Sequence, residues 1–173
     1  RDYIEQYASW VKDNAIANYV ELDLDEVAGV EETARIRKQL ESMVGYPSIP
    51  CWHIERGQEG WQRMCDEYDY VSISLSGFTN TSKWLRAHKY QPLKWFMAEA
   101  RKRGAKVHAL GCNQIDLLKR FRFHSCDSST HTQGVRYGIV LRYSNGAIKR
   151  MTRDATYKKD QAKIAVNNVE QMI

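Results

Sequence analysis

Segments with hydrophobic residues at the spacing of amphipathic helices take turns along the chain with short apolar runs typical of buried strands. Helical spacing covers residues 2–14, 31–44, 58–68 and 93–103. Short apolar runs predict strands at 19–24, 49–54, 70–75, 107–110 and 121–126, and a brief helical pattern separates the last two. Regular alternation of strand and helix predicts parallel strands joined by right-handed crossovers.

The last third of the chain has a different pattern. Asn145-Gly146 lies between two alternating segments, 139–143 and 147–151, and this dipeptide is a strong signal for a two-residue β-hairpin turn. Residues 155–173 predict a polar terminal helix, and residues 78–90 a longer loop.

Five strand–helix units leave two fold classes open, because an eight-stranded barrel usually takes ~250 residues. One is an open doubly wound sheet, and the other is the later part of a TIM-type (β/α) barrel. Polar residues follow every strand rather than a single switch point, and the sequence begins inside a helix, so we favour the barrel. We expect an α/β fold with the later five barrel strands in a catalytic domain over 1–151. The C-terminal hairpin closes that domain, and a helical tail spans 152–173.

Composition indicates a soluble globular protein, with 43% hydrophobic and 27% charged residues among 173. No apolar run approaches the ~20 residues of a membrane span, and no signal-peptide pattern opens the chain. The four cysteines form no CxxC pair, so we expect reduced thiols in a cytoplasm rather than a zinc site or disulfides.

Charge is distributed unevenly between the two halves. Residues 1–100 carry 11 Lys and Arg against 16 Asp and Glu, whereas residues 101–173 carry 15 against 5. A basic half is what a polyanion-binding surface needs, although a solvated basic tail gives the same composition.

Candidate chemistry centres on residues 106–138, KVHALGCNQIDLLKRFRFHSCDSSTHTQGVRYG. A strand ending at Gly111 is followed by a short helix and by a strand that ends at Asp127. Barrel enzymes place their active sites at the C-terminal ends of such strands. Asp followed by Ser-Ser-Thr is also a common helix N-cap, so a purely structural Asp127 is the alternative.

This stretch resembles the closing part of the tRNA-guanine transglycosylase superfamily, and most of all its shorter phage and prophage members linked to deazaguanine modification of DNA. The matching features are Asp116-Leu117-Leu118, the strand-terminal Asp127, and an arginine and glycine at Arg136 and Gly138. The resemblance implies that Asp127 is the nucleophile that forms a covalent bond to the sugar during base exchange, a chemistry that suits a carboxylate.

Similarity extends upstream and implies a set of base-binding residues. YVELDLDEV resembles the strand that supplies a base-recognising aspartate, with Asp23 as first choice and Asp25 as second. The other base-binding candidates are His53 and Glu55 in PCWHIERGQEGWQRM, Ser76 and Gly77 in SISLSGF, and Gly111. Structural alternatives are an acidic strand end for Asp23, hydrogen-bonded structural roles for His53 and Glu55, and ordinary turns for the glycines.

Basic residues around the same stretch are candidates for contacts with nucleic-acid phosphates, and they are Lys119, Arg120, Arg136 and Arg142. A solvated basic face is the alternative. Trp84, Trp95 and Phe96 are more typical of a core than of a base-stacking platform.

The sequence departs from the family's pattern in two places, and these differences limit which substrates and partners the resemblance implies. The chain lacks the cysteine-rich zinc site of the tRNA enzymes, which favours DNA over tRNA and predicts no metal or other cofactor. The family's second catalytic aspartate lies on an early strand that this chain does not contain. We therefore expect activity to need N-terminal strands from the same chain or a partner chain, with a free modified base as co-substrate, in the cytoplasm of a bacterial or phage-infected host.

Two other functions compete with base exchange. A different barrel enzyme could act on a small phosphorylated substrate through Gly111 and Arg136. A non-catalytic nucleic-acid-binding module would bind in a salt-dependent way and independently of Asp127.

Overall fold

The structure is a computed structural model that describes residues 3–75, 87–112, 114–128, 139–145 and 147–152. The helices are α1 (Tyr3–Asp13), α2 (Asp25–Ala28), α3 (Val30–Val44), α4 (Gly57–Glu67), α5 (Gln91–Lys102) and α6 (Ile115–Phe121). The strands are β1 (Cys51–Trp52), β2 (Tyr70–Ser74), β3 (Lys106–Leu110), β4 (Ser125–Cys126), β5 (Ile139–Ser144) and β6 (Ala147–Thr152), and a 3₁₀ helix covers Ile54–Arg56.

The chain forms two compact units. The first contains Arg1–Leu110 and Phe121–Cys126, and the second contains Gly111–Arg120 and Asp127–Ile173. The predicted tail lies almost wholly outside the described residues, as do 76–86 of the first unit. In the parts of the chain that are described, no helix has the length and apolar character needed to cross a membrane.

A parallel sheet organises the first unit, with strand order β1-β2-β3-β4. A parallel bridge between Val20 and Ile49 lies just before β1. Neighbours in sequence are therefore neighbours in the sheet, without the reversal that marks an open doubly wound fold. This order matches consecutive strands of a barrel, but the described sheet is not closed, and the barrel stays a prediction.

The two faces of this sheet differ in chemistry. Trp52 packs its ring against Trp61 of α4 and Phe96 of α5, with centroids 6.1 and 4.4 Å away. Residues in register with Trp52 share this face, among them the fully buried Ile73. Phe96 is buried, as predicted for a core aromatic.

The other face is polar. One register row joins Cys51, Ser72, His108 and Ser125 across all four strands. Ser72 donates to the Cys51 sulfur at 3.2 Å, and His108 Nδ1 lies 2.5 Å from the Ser125 hydroxyl, which also bonds Tyr70. The polar groups on this face, buried or half-buried, satisfy one another.

Helix α1 and the C-terminal half of α3 form a second core in the same unit. Val11 and Leu40 are fully buried there, and Tyr19 joins them. Gly45 ends α3 with φ 99°, a left-handed conformation that glycine adopts without a Cβ clash, so the predicted helix end is confirmed.

Three predicted strands are shorter than expected. The 19–24 segment makes only the bridge at Val20, because the Cys51 amide, the next donor toward this segment, donates to the Glu21 side-chain carboxylate at 2.5 Å instead of to the backbone. The 49–54 strand ends at Trp52, whose indole donates to Gly57 O at 2.8 Å across the 3₁₀ turn.

The 121–126 strand is reduced to β4. Phe121 belongs instead to the last turn of α6, where it is buried four residues after the buried Leu117, at helical spacing. The hairpin agrees with prediction, since β5 and β6 pair antiparallel around Asn145, which has φ 52°.

Candidate functional site

Three acidic residues, Glu21, Asp23 and Asp25, follow the bridge at Val20 at two-residue spacing, and each has a different environment. Their side chains are 0%, 41% and 4% exposed. Exposure separates the one carboxylate that solvent and ligands can reach from two that are packed inside the first unit.

Glu21 is the centre of a buried ion cluster. Its carboxylate accepts from Arg37 Nη1 at 3.0 Å, from Arg56 Nη2 at 3.2 Å and from the Cys51 amide at 2.5 Å. Burial raises the pKa of Glu21, and the two guanidinium groups oppose that rise. With three donors on one carboxylate, Glu21 connects α3, the 3₁₀ turn and β1.

Asp25 belongs to the same cluster. Arg56 grips it with two hydrogen bonds, from Nε at 2.6 Å and from Nη2 at 2.7 Å, in the fork geometry that guanidinium and carboxylate favour. Burial works against ionisation of Asp25, but the Arg56 contacts outweigh it and hold the pKa of this carboxyl below its usual value. Asp25, the second choice for base recognition, is therefore already occupied.

Asp23 pairs with His53 instead. The His53 Nε2 atom lies 2.7 Å from Asp23 Oδ1, and the His53 side chain is 14% exposed. The hydrogen bond to Asp23 raises the pKa of His53. Of the three acids, Asp23 is the one with a histidine partner and an accessible surface, and the structure brings together two of the predicted base-binding residues, Asp23 and His53.

Asp127 lies in the second unit, directly after β4. Its Oδ1 atom accepts a hydrogen bond from the Gly111 amide at 2.6 Å, and both residues are exposed. Gly111 has φ 65°, a left-handed conformation in which its amide turns toward Asp127. The two residues predicted at the ends of neighbouring strands are thus in direct contact, and one carboxylate oxygen is fixed in orientation.

The remaining predicted residues are exposed or lie outside the described residues. Glu55 is exposed within the 3₁₀ turn, so the strand alternation on which its prediction depended does not apply to it. Lys119, Arg120 and Arg142 are exposed, while Ser76, Gly77 and Arg136 lie outside the described residues.

Sequence reasoning missed Glu21, Arg37 and Arg56. Arg37 could have been found, because it lies at helical spacing from Thr33 and Leu40 on the buried face of α3. An arginine at such a position predicts a buried acidic partner. Nothing in the local sequence identifies that partner, which is 16 residues away.

Comparison of the chain with family models, curated proteins and solved structures finds no match. The transglycosylase resemblance therefore stays a prediction. Among the described residues, no group of three or more His, Cys, Asp or Glu side chains is arranged to hold a metal ion.

Proposed function

We propose that this protein is a base-exchanging glycosyltransferase that replaces guanine in nucleic acid, DNA rather than tRNA, with a free 7-deazaguanine. The observation that carries the proposal is the contact between the Asp127 carboxylate and the Gly111 amide, 2.6 Å long and exposed at the end of β4. A nucleophile needs this combination of fixed orientation and access.

In the proposed reaction, an Asp127 oxygen attacks the anomeric carbon as the bond from that carbon to guanine N9 breaks. Guanine leaves with the bonding electrons and takes up a proton, and an Asp–sugar ester remains. The ring nitrogen of the incoming deazaguanine then loses its proton and attacks the same carbon, which releases the carboxylate. Two displacements at one carbon retain its configuration, as in retaining glycosidases.

Base recognition is assigned to Asp23 and His53. The ring N–H and the exocyclic amino group of guanine, or of a deazaguanine, form a donor pair that one carboxylate can accept. The Asp23–His53 contact, 2.7 Å long, orients that carboxylate while 41% of the Asp23 side chain stays exposed. Adenine lacks this donor pair, so the assignment also predicts selectivity for guanine-type bases.

Exposed Lys and Arg side chains are assigned the contacts with the phosphates of the nucleic-acid strand. Lys119 and Arg120 lie in the last turn of α6 and Arg142 lies on β5; all three are exposed and accessible to phosphates. The target nucleotide must leave the base stack before its anomeric carbon can be attacked, which favours single-stranded or readily opened substrates.

The test is exchange of labelled guanine into single-stranded DNA, duplex DNA and tRNA, with sugar phosphates as a competing substrate class. We expect exchange into DNA, and Asp127→Asn should reduce it by at least ~10³-fold. Asp116→Asn, which changes an exposed acid on α6, is the matched control and should leave the rate unchanged. Normal exchange by Asp127→Asn, or turnover of sugar phosphates alone, contradicts the proposal.

A further inference from the structure

A cleft of about 310 Å³ lies between α3 and α4 in the first unit. Its volume is at the lower end of the range for small-molecule sites. The cleft is open in part because several of its lining residues are small or flexible: Ala34 on α3, and Gly60 and Met64 on α4. A Cβ at Gly60 would come within 3.0 Å of the Arg56 Cβ, so glycine lets Arg56 occupy the cleft wall.

The polar lining of the cleft is mostly cationic, with Arg37, Lys38, Arg56 and Arg63 against the single acid Glu67. Arg63 is exposed, and it forms no ion pair or hydrogen bond with the described residues. Lys38 is 61% exposed and donates to the Tyr68 hydroxyl at 2.7 Å, with Glu41 at 3.5 Å. Arg63 and Lys38 therefore present accessible donors on α4 and α3.

The two buried arginines in the wall have more N–H donors than their acids accept. Among the described residues, the acceptor of Arg56 Nη1 is the Met64 sulfur, 3.6 Å away, and a thioether is a weak acceptor. Arg37 Nε is buried without an acceptor among the described residues. Glu21 and Asp25 take up the other guanidinium contacts. Buried donors without a good acceptor are unusual in proteins and call for an explanation.

We propose that the α3/α4 cleft is a phosphate-binding site, in which Arg63 and Lys38 bind the phosphate oxygens and Arg56 Nη1 supplies a donor from the wall. Guanidinium groups suit phosphate because their planar donors match two of its oxygens at once. The phosphate belongs either to a free nucleotide or to a nucleic-acid strand, and both present the same group. The inference does not rest on base exchange, since none of these residues takes part in that reaction.

The experiment is isothermal titration of the purified protein with inorganic phosphate, deoxyguanosine monophosphate and a single-stranded oligonucleotide at physiological salt. We expect binding, and Arg63→Gln should weaken it about tenfold, the effect of one charge-assisted hydrogen bond. Glu67→Gln should tighten binding severalfold, because it removes the acid from the cleft. Arg35→Gln, an exposed arginine elsewhere on α3, is the matched control and should have no effect.

The three probes distinguish the source of the phosphate. If inorganic phosphate and the mononucleotide compete with the oligonucleotide, the cleft takes a free nucleotide as well. If the oligonucleotide alone binds and still responds to Arg63→Gln, the site reads a strand phosphate. Failure of the exchange proposal would leave these binding results unchanged, because Arg63, Lys38 and Arg56 take no part in that reaction. Absence of binding by every probe, or equal weakening by Arg63→Gln and Arg35→Gln in folded variants, overturns the inference.

Discussion

Three acids within five residues of one another, Glu21, Asp23 and Asp25, lie in two different environments. Glu21 and Asp25 are buried; Arg37 and Arg56 both bind Glu21, and Arg56 also binds Asp25. Asp23, between them in sequence, is 41% exposed and pairs with the imidazole of His53. Glu21 and Asp23 are two residues apart, so alternation along an extended segment would place both side chains on the same face. Their different partners account better for their different exposure.

The bound partner distinguishes carboxylates that stabilise the fold from carboxylates that are available to bind a ligand. A carboxylate bound by arginine keeps a charged partner, because a guanidinium does not release its proton at any working pH. A carboxylate bound by histidine has a partner that titrates near neutrality and can be displaced by a ligand. By this criterion Asp23, and not Asp25, is the base-recognition candidate.

The largest expected effect comes from breaking the buried cluster. Glu21→Gln leaves Arg37 without a countercharge inside the first unit and leaves Arg56 with Asp25 alone, so we expect a loss of about 3–5 kcal/mol in the free energy of unfolding. Asp23→Asn should cost under ~1 kcal/mol, since its pair is partly exposed and screened. Urea unfolding at neutral pH measures both, with the exposed Glu31→Gln as control. Equal losses for Glu21→Gln and Asp23→Asn would remove the distinction.

Asp25 should also contribute to stability on the acid side. Because the pKa of Asp25 is lowered in the folded state, its contribution is present above the unfolded value of ~3.9 and is lost as pH falls through the folded value. The stability difference between wild type and Asp25→Asn should therefore shrink below about pH 4. Urea unfolding as a function of pH measures this difference, and a constant gap down to acid unfolding would argue against the ion pair.

Much of the fold was predictable from sequence because its signals are local. Helical spacing located α1 and α3 to within about a residue, and Asn145-Gly146 located the hairpin. The buried cluster was not predictable, since Glu21 binds Arg37 and Arg56 from 16 and 35 residues away. Such pairing depends on how the elements pack, which a one-dimensional pattern does not contain.

Strand lengths were overestimated for a related reason. Phe121 and Phe123 alternate as in a strand, whereas Phe121 completes the buried face of α6. The contact between Asp127 and Gly111 was not predicted, although both residues were expected at the ends of strands. The sequence alone does not identify Asp127 as the side chain that accepts a hydrogen bond from the Gly111 amide.

The smallest expected effect concerns the Asp23–His53 pair. Since Asp23 raises the pKa of His53, the pair stabilises the fold fully below the unfolded value of ~6.5 and loses that contribution as pH rises through the folded value. NMR titration of the His53 ring should give a pKa above ~6.5 in the wild type and a lower one in Asp23→Asn. The exposed His124 is the internal control, and an unchanged His53 titration would show that the pair does not form in solution.

Formation of the covalent intermediate is the most direct measurement of the central claim. Intact-mass analysis after incubation with a guanine-containing DNA strand should detect a species equal to the protein plus the strand lacking one guanine, formed by wild type and Asp116→Asn. Asp127→Asn should form none. An adduct of the same mass on Asp127→Asn, or exchange of labelled guanine without an adduct that rapid acid quenching can trap, would contradict the assignment of Asp127 as the nucleophile.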